Sequence, residues 1–168
     1  LCYCGPVLRT LPAGVHATRE PLQFGAEIYG HSGLEADLEV LDLALDCLGN
    51  SGVGAATLDL ADARIVNSIL EGVGGPGQRE AVAGALAAKD LQSLRELTHG
   101  LPAESQRSVL ALVDLYGGDE VLHKAHEVLP ARPVIASALR DLQWLANHVR
   151  QAHGHVNVGF DLADLGGY

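Results

Sequence analysis

The chain has 168 residues, of which 48% are hydrophobic, and it carries a formal net charge of −10 at pH 7. This length supplies a hydrophobic core for one domain, and no apolar run is long enough to cross a bilayer. The charged segment and cleavage site of a signal peptide are not visible. The acidic balance argues against a broad nucleic-acid surface, because phosphate contacts need clustered Lys and Arg. We therefore expect a cytoplasmic protein with no nucleic-acid or membrane partner.

The ends of the chain predict a fragment of a longer protein. Leu1 is not an initiator methionine, and the chain contains no methionine at all. The first residues read as the inside of a strand, and Tyr168 ends a second strand-like run.

The first thirty residues predict a pair of antiparallel strands. Two apolar runs, 1–10 and 22–30, flank a segment rich in Pro, Gly, Ala and Thr, which is typical of two strands joined by a long loop. In the second run Gln23, Gly25 and Glu27 are spaced two apart and therefore point to one face. The other face is apolar and predicts packing on helices; it consists of Phe24, Ala26 and Ile28.

This stretch resembles motif 2 of the class II aminoacyl-tRNA synthetases, in the histidyl branch. The residues that carry the resemblance are Gly5-Pro6-Val7-Leu8-Arg9 and, after a loop of the family's length, Gln23-Phe24-Gly25-Ala26-Glu27-Ile28-Tyr29-Gly30. Within the branch it is most similar to the paralogues that serve as the regulatory subunit of ATP phosphoribosyltransferase in histidine biosynthesis. The resemblance implies an α+β fold, with an antiparallel sheet flanked by helices and a helical insertion.

The resemblance also implies a histidine-binding site. Gln23 and Glu27 would contact the bound histidine, and Arg9 would lie at the carboxylate or phosphate end of the site. A carboxylate accepts from an imidazole N–H, an amide both donates and accepts, and a guanidinium matches a planar carboxylate. The residues alone leave an alternative open, in which Glu27 and Arg9 form a buried ion pair that holds the two strands together.

The loop between the strands departs from that of a working synthetase, which uses arginines to reach ATP and tRNA and an aromatic residue to stack on adenine. In the segment 10–21 only Arg19 is cationic, and the stacking position corresponds to Pro21, which has no π-face. This favours a histidine sensor without catalytic residues of its own. The alternatives are a histidyl-tRNA synthetase core fragment that forms histidyl-adenylate, and an interaction domain that has lost ligand binding.

The resemblance further implies the partners of such a sensor. It would associate with the short-form catalytic subunit of ATP phosphoribosyltransferase, with histidine as the allosteric effector. It would form a homodimer within a hetero-oligomer, and the resemblance implies no cofactor.

After the motif, the pattern alternates between helix and strand. Ser32 and Glu35 form a capping-box pattern ahead of a leucine stripe that ends at Gly49-Asn50. The segment 56–62 predicts a strand, and its aspartates Asp59 and Asp62 are interpreted as caps rather than as an acid–base pair. A short helix over 64–71 and a glycine-rich hinge over 72–77 follow, and this hinge lacks the Lys-Ser/Thr of a phosphate-binding loop.

The remainder predicts a helical region and a returning strand. We expect a core formed by 1–77 and 154–168 and a helical insertion over 78–153, with Trp144 as a core anchor. The last segment resembles the approach to the synthetase's histidine-specific motif, with Gly166 where an arginine normally stands. The predicted helices are 79–88, 91–98, 104–116, 119–129 and 134–153, and the returning strand is 155–162.

No metal site is predicted. His123 and His126 are three apart on one helix, but no third or fourth ligand is evident, so we expect solvent-facing histidines. Cys2 and Cys4 are too close together for ordinary zinc spacing, and with Cys47 they are expected to be reduced, small apolar residues.

Overall fold

The structure, a computed structural model, describes residues 1–11, 14, 17–71 and 75–164. These residues belong to two compact units, Leu1–Ser51 and Gly52–Tyr168. The predicted division into a core over 1–77 and 154–168 and an insertion over 78–153 stays a prediction.

The first unit contains the predicted strand pair and one helix. Strand β1 spans Cys2–Pro6 and strand β2 spans Leu22–Ala26, and the two pair antiparallel. Helix α1 spans Leu34–Asn50, and its acidic residues lie mostly on the solvent side, as expected for a helix with one leucine-rich stripe.

The predicted capping box at the start of α1 is wrong. The N-cap is Gly33, in an extended conformation and without a side-chain cap hydrogen bond. Because the helix begins one residue later than predicted, Ser32 precedes the N-cap and is displaced from the position that bonds the first turn. The carboxylate of Glu35 instead lies 3.8 Å from the imidazole of His31.

The second unit alternates strands with helices. Strand β3 is followed by six helices, interrupted once by the short strand β4, and the unit closes with strand β5. The bounds are β3 Ala56–Leu60, α2 Ala63–Ile69, α3 Pro76–Ala87, α4 Leu91–Leu97, α5 Ala103–Leu112, β4 Tyr116–Gly117, α6 Glu120–Val128, α7 Pro133–Ala152 and β5 Val156–Asp161.

The three strands of this unit form one mixed sheet in the order β3-β5-β4. β5 pairs antiparallel with β4 and parallel with β3, so the antiparallel expectation fails for the β3–β5 pair. A long helical connection separates these two strands in sequence, which is what a parallel pairing requires. Phe160 at the end of β5 is fully buried, as are Ile65 in α2 and Leu139 in α7, which places the core between sheet and helices.

Asp62 caps helix α2, as predicted. Its carboxylate accepts from the backbone N–H of Arg64 at 2.9 Å, and the Arg64 guanidinium donates to Asp62 and to Asp141 of α7 at 2.5 and 2.7 Å. These hydrogen bonds raise the pKa of Arg64 above its ordinary value. Arg64 thereby connects the start of α2 to α7.

Two predictions for this unit are wrong. The helix predicted over 104–116 ends at Leu112, and Tyr116 lies in β4, because pairing with Asp161 outweighs continuation of the helix. Gly117 has a φ of 135°, which an α-helix cannot contain. Trp144 is only half-buried and stacks on His148, with 3.9 Å between ring centroids, so it is no core anchor.

Among the helices that the structure describes, none is long and apolar enough to cross a membrane.

Candidate functional site

The polar face of the hairpin is built by one continuous antiparallel register. Beyond the strand ends, the N–H and carbonyl of Glu27 both pair with Leu1 at 2.8 Å. At the other end, the N–H of Arg9 donates to the carbonyl of Arg19, also at 2.8 Å. Because no bulge interrupts this pairing, the odd-numbered residues of both strands share one face. Gln23, Glu27 and Arg9 therefore lie on the same face, as predicted.

Tyr3 joins this face between Gln23 and Glu27. It lies directly opposite Gly25 in the register. A Cβ at position 25 would be 2.5 Å from the Cζ and Oη atoms of Tyr3, so the ring rests across the glycine. From there its hydroxyl accepts a hydrogen bond from Nε2 of Gln23 at 3.1 Å. Because Gly25 has no side chain, the ring of Tyr3 can lie across it. The Tyr3 hydroxyl then orients the amide of Gln23 by accepting one of its N–H donors.

Tyr29 orients the carboxylate of Glu27, as Tyr3 orients the amide of Gln23. Its hydroxyl donates a hydrogen bond to Oε2 of Glu27. The pKa of Tyr29 is raised above its ordinary value by this hydrogen bond and by the negative charge of Glu27. Like any phenol at neutral pH, the hydroxyl is protonated and acts as a donor. Within the described residues, no donor reaches the second oxygen of Glu27, which is left to face solvent or a ligand.

Arg9 lies apart from the other two predicted residues. It pairs with Arg19, eight positions along the strand from Glu27, which at about 3.3 Å per residue is roughly 26 Å. Gln23 lies midway between them. Both Arg9 and Glu27 are exposed, and no ion pair joins them within the described part of the chain. The alternative of a buried Arg9–Glu27 ion pair is therefore wrong.

The opposite, apolar face of the hairpin is largely exposed, with exposed fractions of 75% for Leu22 and 60% for Phe24, so the predicted packing of this face on helices is not borne out for the face as a whole. Part of the hairpin faces helix α1. Between them lies a cavity of about 390 Å³, lined mainly by apolar side chains. Residues of both strands line it together with residues of α1: Cys2, Tyr3, Phe24, Gly25 and Ala26 from the strands, and Val40, Leu43, Ala44 and Cys47 from the helix.

Sequence reasoning missed both tyrosines. The signal for Tyr3 was present, because an antiparallel pair of known register places it opposite Gly25, but the register was not fixed in advance. The signal for Tyr29 was its spacing of two from Glu27, which puts both on one face. Neither residue is marked by composition or by a charge pattern.

The remaining candidates give no further site. The three cysteines are free, and no group of three or more His, Cys, Asp and Glu side chains is placed to hold a metal within the described ranges. His123 and His126 are exposed on α6, as predicted. Gly166, the residues 12–13 and 15–16 of the interstrand loop, and part of the hinge at 72–74 lie outside the described residues.

The whole chain, residues 1–168, matches a family model described as histidyl-tRNA synthetase. The chain belongs to the histidyl-tRNA synthetase family. The predicted resemblance to the regulatory-subunit branch of this family is confirmed by curated relatives. One, from Albidiferax ferrireducens, is named ATP phosphoribosyltransferase regulatory subunit and is 54% identical over all of this chain and 43% of its own length. A second of the same name, from Verminephrobacter eiseniae, is also 54% identical, over all of this chain and 43% of itself.

Solved structures of this family share the fold. A Bacillus halodurans protein described as an ATP phosphoribosyltransferase regulatory subunit/histidyl-tRNA synthetase superposes with a TM-score of 0.78 at 22% identity, over 96% of this chain and 42% of its own. A chain of the ATP phosphoribosyl transferase (HisG:HisZ) complex from Thermotoga maritima gives a TM-score of 0.69 at 18% identity, over 97% and 56%. The predicted class II synthetase-like fold is thereby confirmed. The chain spans less than half the length of these curated relatives.

Proposed function

We propose that this chain is part of a regulatory subunit of ATP phosphoribosyltransferase and that its hairpin binds free histidine. Glu27 accepts from the imidazole, Gln23 meets the ammonium, and Arg9 reaches from the far end of the face toward the carboxylate. The long arginine side chain suits that role because the guanidinium lies several ångströms from its strand. The protein would act in the cytoplasm and would have no catalytic residues of its own.

The observation that supports this best is the state of Gln23 and Glu27. Each is held by one tyrosine hydroxyl, and in the described structure the amide oxygen and one carboxylate oxygen have no protein partner. Two oriented acceptors on an exposed face fit a small cation-bearing ligand. Preorganised groups also bind with less loss of side-chain entropy.

The interstrand loop supports a role other than aminoacylation. Segment 10–21 contains one cationic residue, Arg19, whereas the phosphates of ATP and of tRNA call for several. The net charge of −10 also disfavours binding of tRNA, which is itself strongly negative.

The partner we propose is the catalytic subunit, and in its short form. The relatives are named regulatory subunits, and a similar chain occurs in a solved structure described as a HisG:HisZ complex. Two copies of the regulatory subunit would assemble with catalytic subunits. Feedback by histidine then requires that catalytic partner and histidine alter each other's affinity equally, because coupling between binding sites is reciprocal.

Calorimetric titration of the full-length protein tests the proposal, first with histidine and separately with ATP. We expect histidine to bind and ATP not to bind. Glu27→Gln should lower the affinity for histidine by at least about tenfold, since it removes a charged hydrogen-bond acceptor. Glu35→Gln on α1 is the matched control, an exposed carboxylate outside the polar face. Undiminished histidine binding by Glu27→Gln would overturn the assignment of Glu27 to the histidine site.

A second candidate is histidyl-tRNA synthetase activity, because the family model that matches the whole chain carries that description. Binding of ATP together with histidine-dependent pyrophosphate exchange would favour this candidate. Histidine-dependent change in phosphoribosyltransferase activity of the reconstituted complex would favour the first.

A further inference from the structure

We propose that Tyr29 is the positioning residue of the histidine site and that, by fixing the carboxylate of Glu27, it makes the site distinguish the two nitrogens of the imidazole. This inference rests on the proposed histidine site and extends it to the specificity of that site.

Backbone hydrogen bonds fix the position of Glu27, from which its carboxylate extends. Both backbone groups of Glu27 are paired with Leu1 at 2.8 Å. Three residues later Gly30 has a φ of 80°, a left-handed conformation that ends the extended segment. Tyr29 lies just before this change of direction, beyond the end of β2, and its hydroxyl reaches the carboxylate of Glu27 two positions earlier.

The hydrogen bond then fixes the carboxylate itself. The hydroxyl of Tyr29 donates to Oε2, and among the described residues it is the one side chain that bonds to Glu27. With one oxygen held, rotation of the carboxylate about its terminal bond is restrained, and Oε1 presents its lone pairs in one direction. A phenol is protonated at neutral pH, so this restraint persists there.

A single oriented acceptor selects one imidazole nitrogen. The amino-acid end of the ligand is directed toward Gln23, whose own amide is held by Tyr3 at 3.1 Å. With the amino-acid end of the ligand held at Gln23 and the acceptor Oε1 fixed on Glu27, only one ring nitrogen can bring its N–H to Oε1. A methyl group on that nitrogen replaces its N–H and collides with the carboxylate. A methyl group on the other nitrogen leaves the selected nitrogen free to donate its N–H when the ring is protonated.

Histidine and its two ring-methylated isomers, Nτ-methylhistidine and Nπ-methylhistidine, test this in the full-length protein by calorimetry at about pH 5.5, where the rings are largely protonated and the unmethylated nitrogen carries an N–H. We expect wild type to bind one isomer at least about tenfold more tightly than the other, the value of one hydrogen bond to a charged group. Tyr29→Phe keeps the ring, should bind histidine about tenfold more weakly, and should bring the ratio between isomers close to one. Tyr116→Phe, which removes a hydroxyl from β4 in the other unit, is the matched control and should retain the ratio.

A second variant protects the test against an indirect effect of Tyr29→Phe. Glu27→Asp keeps the charge but withdraws the carboxylate from the tyrosine, and it should also lose the discrimination. Equal binding of the two isomers by wild type, or a ratio that Tyr29→Phe leaves unchanged, would overturn the inference. If Glu27→Gln leaves histidine binding intact, the histidine site itself is wrong, which separates that failure from the failure of this inference.

Discussion

The ring of Tyr3 occupies the space that a side chain at position 25 would need. The two residues face each other across β1 and β2, and a Cβ on Gly25 would lie 2.5 Å from the phenol carbon and oxygen. Gly25, the glycine between Gln23 and Glu27, therefore provides space for Tyr3 on the opposite strand. It allows the tyrosine to lie flat and hold the amide of Gln23.

Replacement of this glycine should affect ligand binding more than folding. In Gly25→Ala the far end of Tyr3, which is 41% exposed, swings outward, so we expect the free energy of unfolding to change by less than about 1 kcal/mol. The Gln23 amide then loses its partner, and histidine affinity of the full-length protein should fall several-fold in calorimetry. Gly5→Ala is the matched control, because a Cβ there meets nothing within 4 Å, and it should bind as wild type does. Equal affinities of the two variants would contradict the role assigned to Tyr3.

The pairing of Tyr29 with Glu27 predicts an alkaline titration. The pKa of Tyr29 is raised from its ordinary value of 10.0 by the hydrogen bond to Glu27 and then by the charge of that carboxylate. A raised pKa means that the contribution to stability is complete below pH 10 and is lost as the pH rises through the folded-state pKa. In Glu27→Gln the pKa should move back toward 10.0, as followed by NMR of ring-labelled tyrosine. Glu35→Gln should leave the Tyr29 curve in place, and an identical shift in both variants would show that Glu27 is not the cause.

The sequence allowed the polar face to be predicted because alternation along a strand has a period of two, and the motif fixes which residues alternate. It did not allow Tyr3 to be placed, because that needs the register between strands, which depends on contacts distant in sequence. The same reason explains the error at Tyr116. Its local pattern favours helix, whereas pairing with Asp161, far along the chain, places it in β4. The cap of α1 was mispredicted because Gly33 competes with Ser32 for the same position, and the choice rests on backbone geometry.

Arg132 connects three helices of the second unit and should be important for stability. Its guanidinium donates to the carbonyl of Ser68 at the end of α2 and to the carboxylate of Glu104 in α5 at 2.8 Å. Arg132 itself is the N-cap of α7. Arg132→Ala should lower the free energy of unfolding of the full-length protein by about 1–2 kcal/mol, mainly because the part-buried carbonyl of Ser68 loses its charged donor and keeps, among the described residues, only the long hydrogen bond of 3.4 Å from the N–H of Glu71. Chemical denaturation measures this, with Arg140→Ala on the exposed side of α7 as the control, expected within about 0.5 kcal/mol of wild type. A loss that matches the control would mean that solvent replaces the guanidinium without cost.

Lys89 combines a strained backbone with favourable side-chain contacts, and two substitutions separate these effects. It follows α3 with a φ of 52°, and the N–H groups of Lys89 and Asp90 close the helix end on the carbonyls of Leu86 and Ala85, both at 2.9 Å. Its ammonium lies 2.7 Å from Asp161 and 3.8 Å from the ring centre of Tyr116. Lys89→Met removes only the charge and should destabilise the protein by about 1 kcal/mol, less at high salt, because the contacts are partly exposed. Lys89→Gly also loses the charge but relieves the left-handed conformation, which is worth about 1 kcal/mol, so it should be nearer to wild type than Lys89→Met. If the glycine variant unfolds at lower denaturant concentration than the methionine variant, the hydrocarbon stem of Lys89 contributes more than the backbone strain costs.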